Sequence, residues 1–145
     1  MCIVERRSPH PFRGGSKSRQ TVMEALCQYF MAQRPNEAFV LLRAEGEAER
    51  ADDGVAERTV VGFLLIPGII SNGSKALFRY DLLPKTITWV GTAHSHMGNS
   101  NQPSSADLKT FAELGDVHMI FCEPFNLTCA RAFDAQGNEM SIEII

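Results

Sequence analysis

No run of apolar residues in this 145-residue chain is long enough to span a membrane, which excludes a helical transmembrane role. The N-terminus lacks the apolar core of a secretory signal, so the expectation is a cytoplasmic protein. Excess charge of one sign is missing too. The formal net charge is −3, which argues against nucleic acid as the main partner. Cysteine is sparse and scattered. Cys2, Cys27, Cys122 and Cys129 contain no Cys-x-x-Cys pair, so neither a disulfide framework nor a thiolate zinc site is expected, and the thiols read as reduced. No segment repeats. What remains is ordinary globular composition, 44% hydrophobic and 21% charged, at a length that suits one domain.

Residues 1–19 hold Arg6-Arg7, two prolines and Gly14-Gly15, and read as an irregular basic arm. The folded domain is expected over 20–145. Thr21-Val22-Met23-Glu24 has the form of a capping box. Val22, Met23, Leu26 and Phe30 follow at helical spacing, and Pro35 predicts the stop. Strands are predicted over Glu37–Leu42, Thr59–Ile66, Ala76–Leu83 and Ile87–Ala93, with an acidic polar loop after the first. A helix starting at Ser104 carries Leu108, Phe111 and Leu114 and closes at Gly115. A strand over Val117–Phe121 comes next, then two strands joined by a turn at Gln136-Gly137-Asn138. This order predicts an α+β, mixed three-layer domain with helices against a central sheet.

The chemistry concentrates between the fourth strand and the second helix, in His94-Ser95-His96 and, further on, Ser104 and Asp107. Strand residues at i and i+2 share a face, so both imidazoles can converge on one ion. Two imidazoles and a carboxylate can hold Zn²⁺ and leave a fourth position for water, the layout of a catalytic site. Ser104 and Asp107 have a second explanation. Ser-x-x-Asp before an apolar helix is close to a capping box, worth roughly 1 kcal/mol without any metal. Glu37 opens an otherwise apolar strand, and strand ends commonly line sites; on spacing alone, however, an exposed charge at a strand start is a better reading than a base. His118 in its strand reads as a structural histidine, and His10 in the arm as a solvated one.

His94-Ser95-His96, seven residues, Ser104, two residues, Asp107, with a glutamate opening an upstream strand, resembles the JAMM (MPN-plus) metalloprotease family. The resemblance implies a JAMM/MPN, cytidine-deaminase-like domain with a mostly antiparallel central sheet flanked by helices. It implies that His94, His96 and Asp107 ligate zinc. Glu37 would hold the water and act as general base, then pass its proton to the leaving amine. Ser104 would hydrogen-bond the developing oxyanion. The implied substrate is the amide after the C-terminal Gly-Gly of a ubiquitin-like or sulfur-carrier protein. The short chain is similar to the stand-alone prokaryotic and archaeal members. Met97 departs from the family, where proline often follows the second histidine. Two other functions stay open: a non-catalytic interaction module with a structural zinc, and a zinc hydrolase of a small amide.

Overall fold

The computed structural model describes residues 16–45, 49–50, 56–65, 70–71, 76–77 and 89–145. Helix α1 (Gln20–Gln33) buries Val22, Met23, Leu26, Cys27 and Phe30 along one side. Its start differs from the sequence expectation. Arg19 occupies the N-cap with no side-chain cap, and Thr21 already lies inside the helix, where its hydroxyl cannot cap. Glu24 instead accepts a 3.0 Å bond from the Gln20 side chain, four residues back.

The strands are β1 (Ser16–Ser18), β2 (Phe39–Ala44), β3 (Glu49–Arg50), β4 (Ala56–Leu65), β5 (Ile70–Ser71), β6 (Ala76–Leu77), β7 (Gly91–Ser95), β8 (Val117–Phe121), β9 (Ala130–Phe133), β10 (Glu139–Met140) and β11 (Ile142–Ile144). Helix α2 (Ser105–Glu113) links β7 to β8. The main sheet runs β10-β9-β8-β7-β2-β4-β1-β11, with β3 paired to β4. β7 lies between β2 and β8, well inside the sheet, so the histidine-bearing strand is held from both sides.

Three expectations hold only in part. The sheet is mixed: the β2–β4, β2–β7, β3–β4, β8–β9 and β9–β10 pairings are antiparallel, whereas β1 pairs in parallel with β4 and β11, and β7 with β8. The parallel β7–β8 pair follows from the α2 crossover, since parallel strands cannot be joined by a tight hairpin. The three-layer description holds only loosely, because the described residues are dominated by strands and include two α-helices. Finally, Ser16–Ser18, assigned by sequence to the irregular arm, forms β1; it bridges β4 and β11, a long-range pairing that local composition cannot reveal. Residues 1–15 of that arm, with His10 and Cys2, lie outside the described residues. The strand expected over Ala76–Leu83 appears only as β6, paired with β5 apart from the main sheet, and residues 78–88 also lie outside them.

Strand alternation divides the core into two faces. On one, α1 packs with Val40, Leu42, Ala93, Met119 and Phe121, and the Phe30 and Phe121 rings lie 5.2 Å apart. On the other, Leu114 at the end of α2 joins Phe39 and Leu41, and Phe111 joins Ile120 and Phe133. The phase of β7 places His94 on this second face, under α2. Two glycines allow the backbone to close up at this junction. A Cβ on Gly91 would collide with the Val117 carbonyl, and one on Gly115 with the Val90 carbonyl. Gly115 also has φ +119, which L side chains rarely adopt. No helix of the described residues is long and apolar enough to cross a membrane.

His118 is fully buried on the α2 face. Its Nδ1 meets the Thr92 hydroxyl at 2.8 Å and its Nε2 meets the Gly115 carbonyl at 2.9 Å. Phe111 stacks on its ring with centroids 4.5 Å apart. This is the structural histidine expected from sequence. Burial pushes its pKa down from 6.5 to about 4. An unfolded chain therefore takes up this proton first as the pH falls. Stability should drop between about pH 6.5 and pH 4, by about 3 kcal/mol in total, and level off below. Denaturant titrations across that window test this; in His118→Gln, which cannot titrate, that part of the slope should vanish.

Candidate metal centre

The ladder β2–β7–β8 sets the positions. Phe39 pairs with His94 across the antiparallel β2–β7 ladder. Ser95 extends the contact, donating its N–H to the Ala38 carbonyl at 3.0 Å and accepting the Ala38 N–H on its hydroxyl at 2.9 Å. Continued two residues beyond the ladder, that register would set Glu37 across from His96, and the charge of Glu37 does bear on His96. The His96 N–H donates to the Phe121 carbonyl at 2.8 Å, holding the second histidine in line one residue beyond the end of β7. Ser95 thus holds the backbone of Ala38, the residue after Glu37. Residue type alone did not mark it, although a small acceptor between two histidines was its visible signal.

Asp107 comes from the first turn of α2. Ser104 is the N-cap, and the capping box is complete. The Asp107 N–H donates to the Ser104 hydroxyl at 3.1 Å, and the Ser104 N–H donates to Asp107 Oδ2 at 2.8 Å. The same carboxylate faces the histidines. His94 Nε2 lies 3.1 Å from Oδ1, and His96 Nε2 lies 3.0 Å from Oδ2. The two Nε2 atoms are 3.0 Å apart. Capping and convergence on the histidines, competing but partly compatible in the sequence, therefore coexist in one side chain. Ser104 only accepts in the cap, so its own O–H remains available as a donor.

These donors suit a divalent ion. A tetrahedron with bonds of ~2.0–2.1 Å has edges of roughly 3.3–3.4 Å, a few tenths of an ångström longer than the 3.0 Å between the two Nε2 atoms. His94, His96 and Asp107 form a group able to hold a metal, with one ligand atom from each lying within 4.8 Å of the others. His96 Nδ1 lies 3.2 Å from the Ser100 carbonyl, which fixes the ring and leaves Nε2 for the ion. Sequence reasoning missed Ser100, because a backbone carbonyl carries no residue-type signal. His94 Nδ1 is buried without a partner among the described residues. Phe39 and Phe111 flank its ring instead, at 6.4 and 6.3 Å between centroids.

The electrostatics agree with the geometry. Burial pushes the Asp107 carboxyl up, but hydrogen bonds from His94 and His96 outweigh it and hold the group well below the usual carboxylate range. His96 is raised, chiefly by its hydrogen bond to Asp107, against burial, with a smaller contribution from the charge of Glu37. Cys27, Cys122 and Cys129 are free thiols, and burial pushes Cys27 up to about 11. They contribute no atom to the group.

Comparison with known proteins matches residues 19–135 to the family described as prokaryotic homologues of the JAB domain. A probable metalloprotease of Haloferax volcanii is 38% identical over 111 residues, covering 77% of this chain and 68% of that protein. A JAB1/MPN-domain protein of Archaeoglobus fulgidus has the same fold, with a TM-score of 0.65 at 22% identity over 90% of this chain and 98% of the other. So has a structure described as JAMM, a metalloprotease-like zinc site in the proteasome and signalosome, at TM-score 0.58 and 22% identity, covering 92% of this chain and 99% of that one. Protein DSY2949 of Desulfitobacterium hafniense aligns at TM-score 0.62 and 20% identity, over 90% of this chain and 92% of its own.

Proposed function

Because the chain belongs to the family of prokaryotic JAB-domain homologues, we propose that it is a JAMM-type zinc metallopeptidase whose centre is the His94–His96–Asp107 group. The observation that carries this is the convergence of both Nε2 atoms on the Asp107 carboxylate, at 3.0–3.1 Å; the charge of Glu37 also bears on His96. His94, His96 and Asp107 would hold the zinc, which would supply a Lewis acid for a carbonyl and a water acidic enough to ionise near pH 7.

The rest of the chemistry belongs to the chain. Glu37 takes a proton from the attacking water on its carboxylate and delivers it to the leaving amine nitrogen. Ser104 donates its free O–H to the carbonyl oxygen as negative charge grows there. Its acceptor side is already tied to the Asp107 N–H, which orients the hydroxyl. No covalent acyl-enzyme is required, so the buried thiols stay out of the reaction.

The finer reading is an isopeptidase. Its substrate is the amide after the C-terminal Gly-Gly of a ubiquitin-like or sulfur-carrier protein, and the motif's resemblance to the JAMM family supports it. An extended tail of this kind can add to a sheet edge through main-chain hydrogen bonds. The test is cleavage of a Gly-Gly-linked ubiquitin-like fusion beside a small acyl amide. Hydrolysis of the fusion should stop when a chelator strips the metal and return with zinc. Turnover of the small amide alone would replace the substrate class. Absence of zinc from the purified chain, together with no uptake of added zinc, would sink the metallopeptidase reading.

A further inference from the structure

Between His96 and the cap at Ser104 the chain crosses from the sheet to α2, and this crossing supplies the Ser100 carbonyl that orients the His96 ring. Two bonds tie it back to the sheet. The Gly98 carbonyl accepts the Glu123 N–H at 2.8 Å, and the Asn101 side-chain amide donates to the Cys129 carbonyl at 3.3 Å. The second tether matters for the site. Ser100 C=O and Asn101 N belong to one planar peptide, so holding the Asn101 side chain restrains the plane that carries the acceptor of His96. The Cys129 carbonyl is itself anchored, accepting the Cys122 N–H at 3.3 Å where β8 meets the start of β9.

We propose that Asn101 is a positioning residue of the metal centre: through the Ser100–Asn101 peptide it holds the carbonyl that aims His96 Nε2 at the ion. The inference rests on the proposed zinc role. Asn101 is not one of the three converging residues. Partners one step behind a metal ligand typically tune affinity by ~10–100-fold, and Asn101 acts on such a partner.

The test uses the full chain with Asn101→Asp, which keeps the shape but sets an oxygen against the Cys129 carbonyl, and Asn101→Ala, which removes the tether without adding charge. Zinc affinity, read by competition with a chromophoric chelator, should weaken about tenfold in both. The His96 Nδ1–H proton, followed by NMR in the zinc-loaded protein, should exchange with water at least about tenfold faster. Thermal stability of the metal-free chain should stay at the wild-type level in Asn101→Ala. Wild-type affinity and exchange in Asn101→Ala would overturn the inference. So would weaker zinc binding accompanied by an equal loss of metal-free stability, the mark of a merely structural residue. If the wild-type chain binds no zinc, the proposed function falls. What then remains of the inference, that Asn101 holds the Ser100 carbonyl against the His96 ring, is decided by Nδ1–H exchange in the metal-free protein: faster exchange in the variants supports it and unchanged exchange overturns it.

Discussion

Replacing Glu37 by glutamine should lower the rate of amide hydrolysis by about 10²–10⁴-fold, the range general-base catalysis supplies. That corresponds to about 3–5 kcal/mol of barrier. Zinc content should be unchanged. Glutamine keeps the size and polarity of the side chain but cannot take a proton at neutral pH. Glu37 is not among the three converging ligands, so the ion keeps its place. The fold should survive as well, because Ser95 bonds to the backbone of Ala38 and not to the Glu37 side chain. Turnover of a Gly-Gly-linked fusion, with metal analysis on the same sample, measures both halves. Full activity in Glu37→Gln would move the base elsewhere. Loss of zinc along with activity would make Glu37 part of the binding group.

Asp107→Ala should do two kinds of damage. Zinc binding should be lost, and with it the stabilisation a bound ion gives the folded chain, about 4 kcal/mol at a free concentration a thousand times Kd. The start of α2 should weaken too, because the reciprocal bond from Ser104 N–H to Oδ2 disappears, at about 1 kcal/mol for a lost cap. Asp107→Asn separates the two. An amide oxygen can still accept the Ser104 N–H, so the helix start should hold while the anionic ligand is gone. Thermal unfolding in excess chelator should place Asn near the wild type and Ala below it. Metal analysis should find both depleted. Zinc retained at the wild-type level in Asp107→Ala would remove this residue from the ligand group.

The centre was more legible in the sequence than its frame. His94, Ser104 and Asp107 lie within fourteen residues, so strand alternation and one helix turn suffice to bring them together. The capping box is local as well, and the structure contains it as read. Glu37 is different. Any approach to His96 depends on β2 pairing with β7 across more than fifty residues, and spacing alone favoured an exposed charge. Long-range pairing also explains what went unread in the fold. β1 is three residues with no apolar alternation, and it is a strand because β4 and β11 offer it partners. At the start of α1 the sequence misled, since Thr-x-x-Glu would place the cap two residues too late once Arg19 opens the helix.

The glycines at 91 and 115 carry a further consequence. They bear no chemistry, yet the main chain passes so closely between β7 and β8 that neither position has room for a methyl group. A survey of every substitution scored by activity alone would rank them beside the ligands, and a reader of that survey would take them for parts of the reaction. Scoring the amount of folded protein alongside activity separates the classes. Changes at the glycines deplete the protein itself, whereas Glu37→Gln leaves it abundant and idle.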